Sequence, residues 1–272
     1  MKDQTLLLAG CGKMGGAMLV GWIERGVNPA HVYIVEPNAE TASFLRDQHG
    51  VQTAAAFGEL PTDLQPNVVI FAVKPQMMDT VAPDYAKFVD PNTVFFSIAA
   101  GKTIGWFERV LGSQAAIVRA MPNTPAAVSR GITVMCANAH VQSSQKQQCD
   151  ILISAVGEYL WTDNEDHIDI VTALSGGGPA YVFLLAECLA QAGIDAGLPA
   201  EMSHRLARVT VAGSGELLYQ SPEEPSVLRQ NVTSPGGTTA EALGVLMADD
   251  GWQPLITKAI AEATRRSREL AG

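Results

Sequence analysis

The apolar run Leu6-Leu7-Leu8-Ala9 passes straight into Gly10-Cys11-Gly12-Lys13-Met14-Gly15, and a helical pattern follows over residues 12–25. Three glycines at this spacing, between a strand and a helix, suit few local structures. Gly10 permits the tight turn, Gly12 lets the backbone approach a pyrophosphate, and Gly15 lets the helix pack close on the strand. The phosphates would then sit at the positive end of the helix. Gly10, Cys11, Gly12, Lys13, Met14 and Gly15 are therefore candidate dinucleotide contacts, and a purely structural turn is the competing reading.

The end of the second strand bears on the choice of dinucleotide. Glu36 stands 21 residues beyond Gly15, near the offset of about 20 residues at which an acidic side chain accepts from the ribose 2′-hydroxyl and repels a 2′-phosphate. That favours NADH over NADPH, and no arginine lies within a few residues to welcome a 2′-phosphate. The alternative is a solvated glutamate before the Pro37-Asn38 turn. Ala72, Val73, Lys74 and Pro75 end a further strand, where a doubly wound sheet presents cofactor contacts; Lys74 also reads as an ordinary solvated lysine.

The 272 residues allow two domains or one large one. In the first half, β-branched or aromatic runs at 5–9, 32–36, 68–73, 93–98, 117–120 and 132–136 alternate with helical patterns at 12–25, 39–49, 77–89 and 104–111. This predicts an α/β fold, a Rossmann-type doubly wound parallel sheet over residues 1–160. From about Glu165 every pattern is helical, at 168–174, 179–196, 200–219, 238–247 and 252–270, which predicts an all-helical second domain over 161–272. Residues 180–186 (Ala-Tyr-Val-Phe-Leu-Leu-Ala) are apolar on nearly every side, and such a helix must be covered all round. A second copy of the chain is the expected cover.

With 18 Lys+Arg against 28 Asp+Glu and no basic run, nucleic acid and anionic membranes are excluded as partners. Cys11, Cys136, Cys149 and Cys188 have no metal-type spacing, so no metal is expected and the thiols read as reduced, in a cytoplasmic protein. Residues 6–11 look like a lipoprotein cleavage box, yet the apolar run is a few residues against about 7–15 for an export signal, and Asp3 stands where positive charge belongs. The apolar stretch 181–194 is interrupted by Glu187, Gln191 and Gly193, short of the roughly 20 residues of a bilayer span.

Two segments of the second half, 175–181 and 232–239, are rich in Gly and Pro and lead into helices. Each reads as a loop offering backbone N–H groups to an anion such as a carboxylate, or as a plain interhelical turn. No lysine occurs between Lys146 and Lys258, which removes the base expected of a two-domain hydroxy-acid dehydrogenase. His167 and His204 are isolated, and Asp163, Glu165, Asp166 and Asp169 read as a solvated acidic helix start. Hydride addition to an already electrophilic C=N bond needs less acid–base help. A cofactor-sensing module without turnover is the rival from another class.

The glycine turn, Ala72-Val73-Lys74-Pro75, Arg119-Ala120-Met121-Pro122-Asn123-Thr124-Pro125, the 175–181 segment and the 232–239 segment together resemble the pyrroline-5-carboxylate reductase family over essentially the whole chain. The family usually has serine where this chain has Gly177, and small hydroxylated residues where it has Glu36. The resemblance implies reduction of 1-pyrroline-5-carboxylate to L-proline with NADPH or NADH, and a helical domain that forms an intertwined dimer, often assembled further into a decamer. It implies that the substrate carboxylate rests on N–H groups around Ser234, Gly237, Thr238 and Thr239, with the Thr239 hydroxyl donating to the imine nitrogen. Asn231 would help position cofactor or substrate, and 121–125, including Asn123, would lie near the nicotinamide.

Overall fold

The computed structural model describes residues 4–271; Asp3, weighed above against an export signal, lies outside them. Eight strands, β1 (Leu6–Ala9), β2 (Val32–Val35), β3 (Gln52–Ala54), β4 (Val68–Phe71), β5 (Val94–Ser97), β6 (Ala116–Met121), β7 (Gly131–Ala137) and β8 (Gly157–Trp161), form one sheet in the order β3-β2-β1-β4-β5-β6-β7-β8. All neighbours are parallel except β6 and β7, so the expected parallel sheet is a mostly parallel one with one antiparallel step. β3 and β8 were not legible in the sequence because both are edge strands without a continuous apolar run, and alternate residues of β8 face solvent.

Every residue of β1, β4 and β5 is buried, as strands covered on both faces require. Leu6, Leu8, Val68, Ile70 and Phe96 point to a core completed by Met18 and Trp22, while Leu7, Val69, Phe71 and Phe95 point to one completed by Tyr85 and Phe107. The alternation is the strand's two-residue period. The Trp22 indole satisfies its N–H on the Leu152 carbonyl at 2.8 Å.

The covering helices are α1 (Lys13–Glu24), α2 (Ala39–His49), α3 (Met78–Val81), α4 (Ile104–Leu111), α5 (Ser143–Ser154) and α6 (His167–Val171). α2 starts where expected because Asn38 accepts from the Thr41 N–H at 2.8 Å. The helix expected over 77–89 is reduced to the single turn α3 followed by 3₁₀ geometry over Ala82–Phe88, since Pro83 has no N–H to donate. α5 was not foreseen. Its start, Ser-Ser-Gln-Lys-Gln-Gln, is polar, and only Gln145, Cys149, Leu152 and Ile153 are buried.

One compact unit runs to Gly176 and includes the end of the last helix from Thr264; residues Gly177–Ala263 form a second. The change to all-helical pattern near 160 therefore precedes the contact boundary, because α6 packs with the sheet. The second unit contains α7 (Gly178–Asp195), α8 (Ala200–Gln220), α9 (Pro225–Asn231), α10 (Thr238–Leu246) and the first turns of α11 (Trp252–Ala271). α7 and α8 form a hairpin in which the Ser203 hydroxyl donates to the Ala190 carbonyl at 2.6 Å, and Gly193 leaves the room Ser203 occupies. On α7, Phe183 is 62% exposed and Val182 and Leu184 are also exposed. A single chain thus leaves uncovered the apolar segment for which the sequence demands cover.

Candidate active site

The candidate cofactor site lies at the carboxyl ends of β1, β2 and β4, where open α/β sheets bind their ligands at the reversal of strand order. Gly10 has φ +80°, and a Cβ there would stand 2.7 Å from Val73 Cγ1. At Gly15 a Cβ would meet the Ala72 methyl at 3.3 Å and the Gly10 carbonyl at 3.4 Å. Ala72 and Val73 are thus the surface on which the glycine turn closes. Gly12 is different: the space a Cβ would occupy is open.

The first intrahelical bond of α1 is Gly16 N–H to the Gly12 carbonyl, at 2.8 Å. The N–H groups of Lys13, Met14 and Gly15 precede it and have no helical partner. An open glycine beside three free N–H groups at the positive end of a twelve-residue helix suits a pyrophosphate. The Cys11 N–H donates to Glu36 Oε2 at 3.2 Å. Burial and the neighbouring Glu36 push the Cys11 thiol up to about 12, so it stays protonated at neutral pH. Lys74 is exposed.

Glu36 is not a loose surface side chain. Its Oε1 accepts from the Asn38 N–H at 3.0 Å while Oε2 takes Cys11, so the carboxylate is fixed beside the glycine turn with lone pairs to spare.

At the end of β6, Asn123 is buried and its Oδ1 accepts from the Ile132 N–H at 2.9 Å, so its carbonyl serves the turn into β7. Beneath it lies a group the sequence reading did not find. Arg119 is 2% exposed in the middle of β6 and pairs with Glu165 at 2.8 Å and Asp169 at 3.4 Å. Asp169 also accepts from Ser267 Oγ at 2.7 Å, and Glu165 from the Ile104 N–H at 2.8 Å. Glu165 and Asp169 are therefore not a solvated acidic helix start. A lone arginine inside an apolar strand was the available signal, since buried charge requires partners.

The 175–181 segment is not an open loop either. Residues Thr172–Gly176 form a π-helical turn that joins α6 to α7, with Thr172 and Ser175 hydroxyls returned to the Ile168 and Val171 carbonyls. The π turn ends at Gly176, the chain bends at Gly177, and α7 starts at Gly178, with the Ala180 N–H bonded to the Gly177 carbonyl at 3.0 Å. The 232–239 segment does form a turn before a helix. Gly236 has φ +68°, and the Gly237 N–H closes the turn on the Ser234 carbonyl at 3.0 Å. The first bond inside α10 is Glu241 N–H to the Gly237 carbonyl, leaving the Thr238 and Thr239 N–H groups open. Ser234, Thr238 and Thr239 are exposed, and Asn231 Nδ2 donates to Glu223 at 3.2 Å.

Comparison with known proteins places this arrangement. Residues 165–270 match the family described as pyrroline-5-carboxylate reductase dimerisation, and residues 5–101 that described as NADP oxidoreductase coenzyme F420-dependent. The pyrroline-5-carboxylate reductase of Pseudomonas aeruginosa is 37% identical over 100% of this chain and 98% of its own length. The chain belongs to the pyrroline-5-carboxylate reductase family. The structure of the Coxiella burnetii reductase superposes with a TM-score of 0.92 at 34% identity, covering 99% of both chains. That of the Plasmodium falciparum reductase, solved with NADP bound, gives 0.84 at 29% identity over 100% of both.

The membership also bears on α7. The stretch His167–Asp195, from α6 through the π turn to α7, is long and apolar enough to cross a membrane by length and composition alone. It lies inside residues 165–270, which match a family described as a dimerisation domain, so its apolar composition does not by itself mark a membrane span.

Proposed function

We propose that this reductase converts 1-pyrroline-5-carboxylate to L-proline with a nicotinamide dinucleotide, and that it favours NADH. Family membership over the full chain carries the reaction, and the fixed carboxylate of Glu36 beside the glycine turn carries the cofactor preference. Gly12, Lys13, Met14 and Gly15 would hold the pyrophosphate, Gly10 shapes the turn, and Ala72, Val73, Lys74 and Pro75 border it. Asn123 would stand near the nicotinamide, and Asn231 would help position cofactor or substrate. The nicotinamide supplies the hydride.

The protein's own contribution is binding and orientation. The Thr238 and Thr239 N–H groups, at the start of the nine-residue α10, suit the substrate carboxylate, with Ser234 beside them. The Thr239 hydroxyl would donate to the imine nitrogen. In this reading residues 1–160 carry the cofactor, and 161–272 the substrate contacts and the dimer. Five such dimers would form the larger assembly, a decamer. Free thiols at Cys11, Cys136, Cys149 and Cys188 suit the cytoplasm.

The deciding assay follows absorbance of NADH and of NADPH with purified protein and 1-pyrroline-5-carboxylate. Turnover with a higher kcat/KM for NADH is the expected result; cofactor binding without turnover would favour a sensing module. Gly12→Ala separates fold from function. It meets open space, so Tm should hold, while KM for either cofactor rises about tenfold or more as the methyl blocks the approach of the pyrophosphate. A KM equal to wild type would show that phosphates lie elsewhere. Light scattering should give at least a dimer, and a stable monomer at micromolar concentration would leave the exposed α7 face unexplained.

A further inference from the structure

The Arg119 cluster does more than hold the sheet to its neighbours. We propose that Arg119 is a positioning residue for the reduction: by gripping Glu165 and Asp169 it sets the height of α6 and the π turn on β6, and so seats Gly176 against Met121 at the carboxyl edge of the sheet. The proposal rests on the function proposed above and adds a residue to it.

Two anchors on one face of β6 carry the inference. Arg119 binds Asp169 on α6, and two residues further along the strand the Met121 Sδ lies 3.6 Å from where a Gly176 Cβ would be. Residues 119 and 121 share a strand face, while Asp169 lies in α6 and Gly176 ends the π turn that continues it. The lower anchor is polar and directional, the upper apolar and close. Asp169 is held from its other side by Ser267 on α11, and Glu165 also takes the first N–H of α4. β6, α4, α6 and α11 thus converge on one guanidinium.

Stability alone does not account for an arginine here. Buried ion pairs can be replaced by apolar side chains of similar volume without loss, and often with gain. Moreover, Arg119 Nε is buried without a partner among the described residues, an uncompensated donor that a group selected for stability would avoid. What arginine offers over an apolar residue is a rigid planar fork that fixes two carboxylates in direction as well as distance. Its position matters because the strand it sits in runs on through Met121 to Asn123, and the π turn leads directly into α7. π turns of this kind recur at functional sites.

Arg119→Lys keeps the charge and loses the fork. In the folded variant, the single-turnover rate of NADH oxidation at saturating substrate should fall about 10–100-fold, the effect of misplacement by about 1 Å. The Kd for NADH should stay within about twofold, since the glycine turn and Glu36 stand at β1 and β2. Amide hydrogen exchange in the cofactor-free protein should rise over 172–176 and not over 6–9, a readout independent of turnover. Should Arg119→Lys fail to fold, Asp169→Asn, which keeps shape and the Ser267 contact, is expected to show the same pattern at reduced amplitude. A lower Tm with single-turnover rate and 172–176 exchange unchanged would make Arg119 a structural ion pair and overturn the proposal. Failure of the wild-type protein to reduce 1-pyrroline-5-carboxylate would instead overturn the function on which it rests, and the proposal with it.

Discussion

Glu36→Ser is expected to shift the ratio of kcat/KM for NADPH over NADH by about 10²-fold toward NADPH. The wild-type carboxylate has two settled partners, the N–H groups of Cys11 and Asn38, so it cannot swing away to admit a 2′-phosphate without leaving both unpaired. Hydrogen bonds from ribose hydroxyls to a charged acceptor are worth about 1.5–3 kcal/mol. Their loss for NADH, with the end of like-charge repulsion for NADPH, gives a change of about 2–3 kcal/mol, or one to two decades. Glu36→Gln is the informative control, because it keeps length and acceptor oxygen while removing the charge; its shift should be smaller and in the same direction. Initial rates with both cofactors decide the matter. A wild-type enzyme that prefers NADPH, or a ratio unmoved in both variants, would mean that Glu36 serves only the turn.

The same residue illustrates what was legible in the sequence. Its distance from Gly15 and its place at a strand end suggested a ribose contact, and the fold delivers the carboxylate beside the turn. What spacing cannot convey is that the acceptor would also take the Cys11 N–H. The central strands were readable because burial on both faces forces continuous apolar runs, as in 6–9 and 68–71. Edge strands β3 and β8 lack that constraint and left no such trace.

Longer-range pairing was illegible for a related reason. Glu165 and Asp169, in a local window, look like the charged start of a helix, and only the packing of α6 on β6 turns them into the partners of Arg119, 46 and 50 residues away. Likewise Ser175-Gly176-Gly177-Gly178-Pro179 carries every mark of a loop, yet the chain is π-helical to Gly176, bends at Gly177 and resumes as an α-helix at Gly178. A π turn absorbs the extra residue, and Thr172 and Ser175 return their hydroxyls to helix carbonyls rather than open the segment. Of the two Gly/Pro-rich segments, 232–239 is the one that forms a turn before a helix, and the substrate proposal rests on it.

That segment yields the sharpest test of the chemistry. Thr239→Ala is expected to lower kcat by about 10–10³-fold, the range for loss of one donor that acts on charge developing in the transition state. Thr239 sits in the first turn of α10, exposed and past the Gly237 N–H that closes the preceding turn, so its removal disturbs no packing. Stability should change by no more than about 0.5 kcal/mol, as for other surface substitutions. Because the backbone N–H at 239 survives in the variant, carboxylate binding should persist and KM for substrate should move far less than kcat. Thr239→Ser, which retains the hydroxyl, should recover most of the rate. With no lysine between 146 and 258 to act as a base, the proposed assistance from this helical unit is the Thr239 hydroxyl, together with protonation of the substrate in solution. Equal turnover for wild type and Thr239→Ala would leave the protein with orientation alone, and the proton on nitrogen would then come entirely from substrate or water.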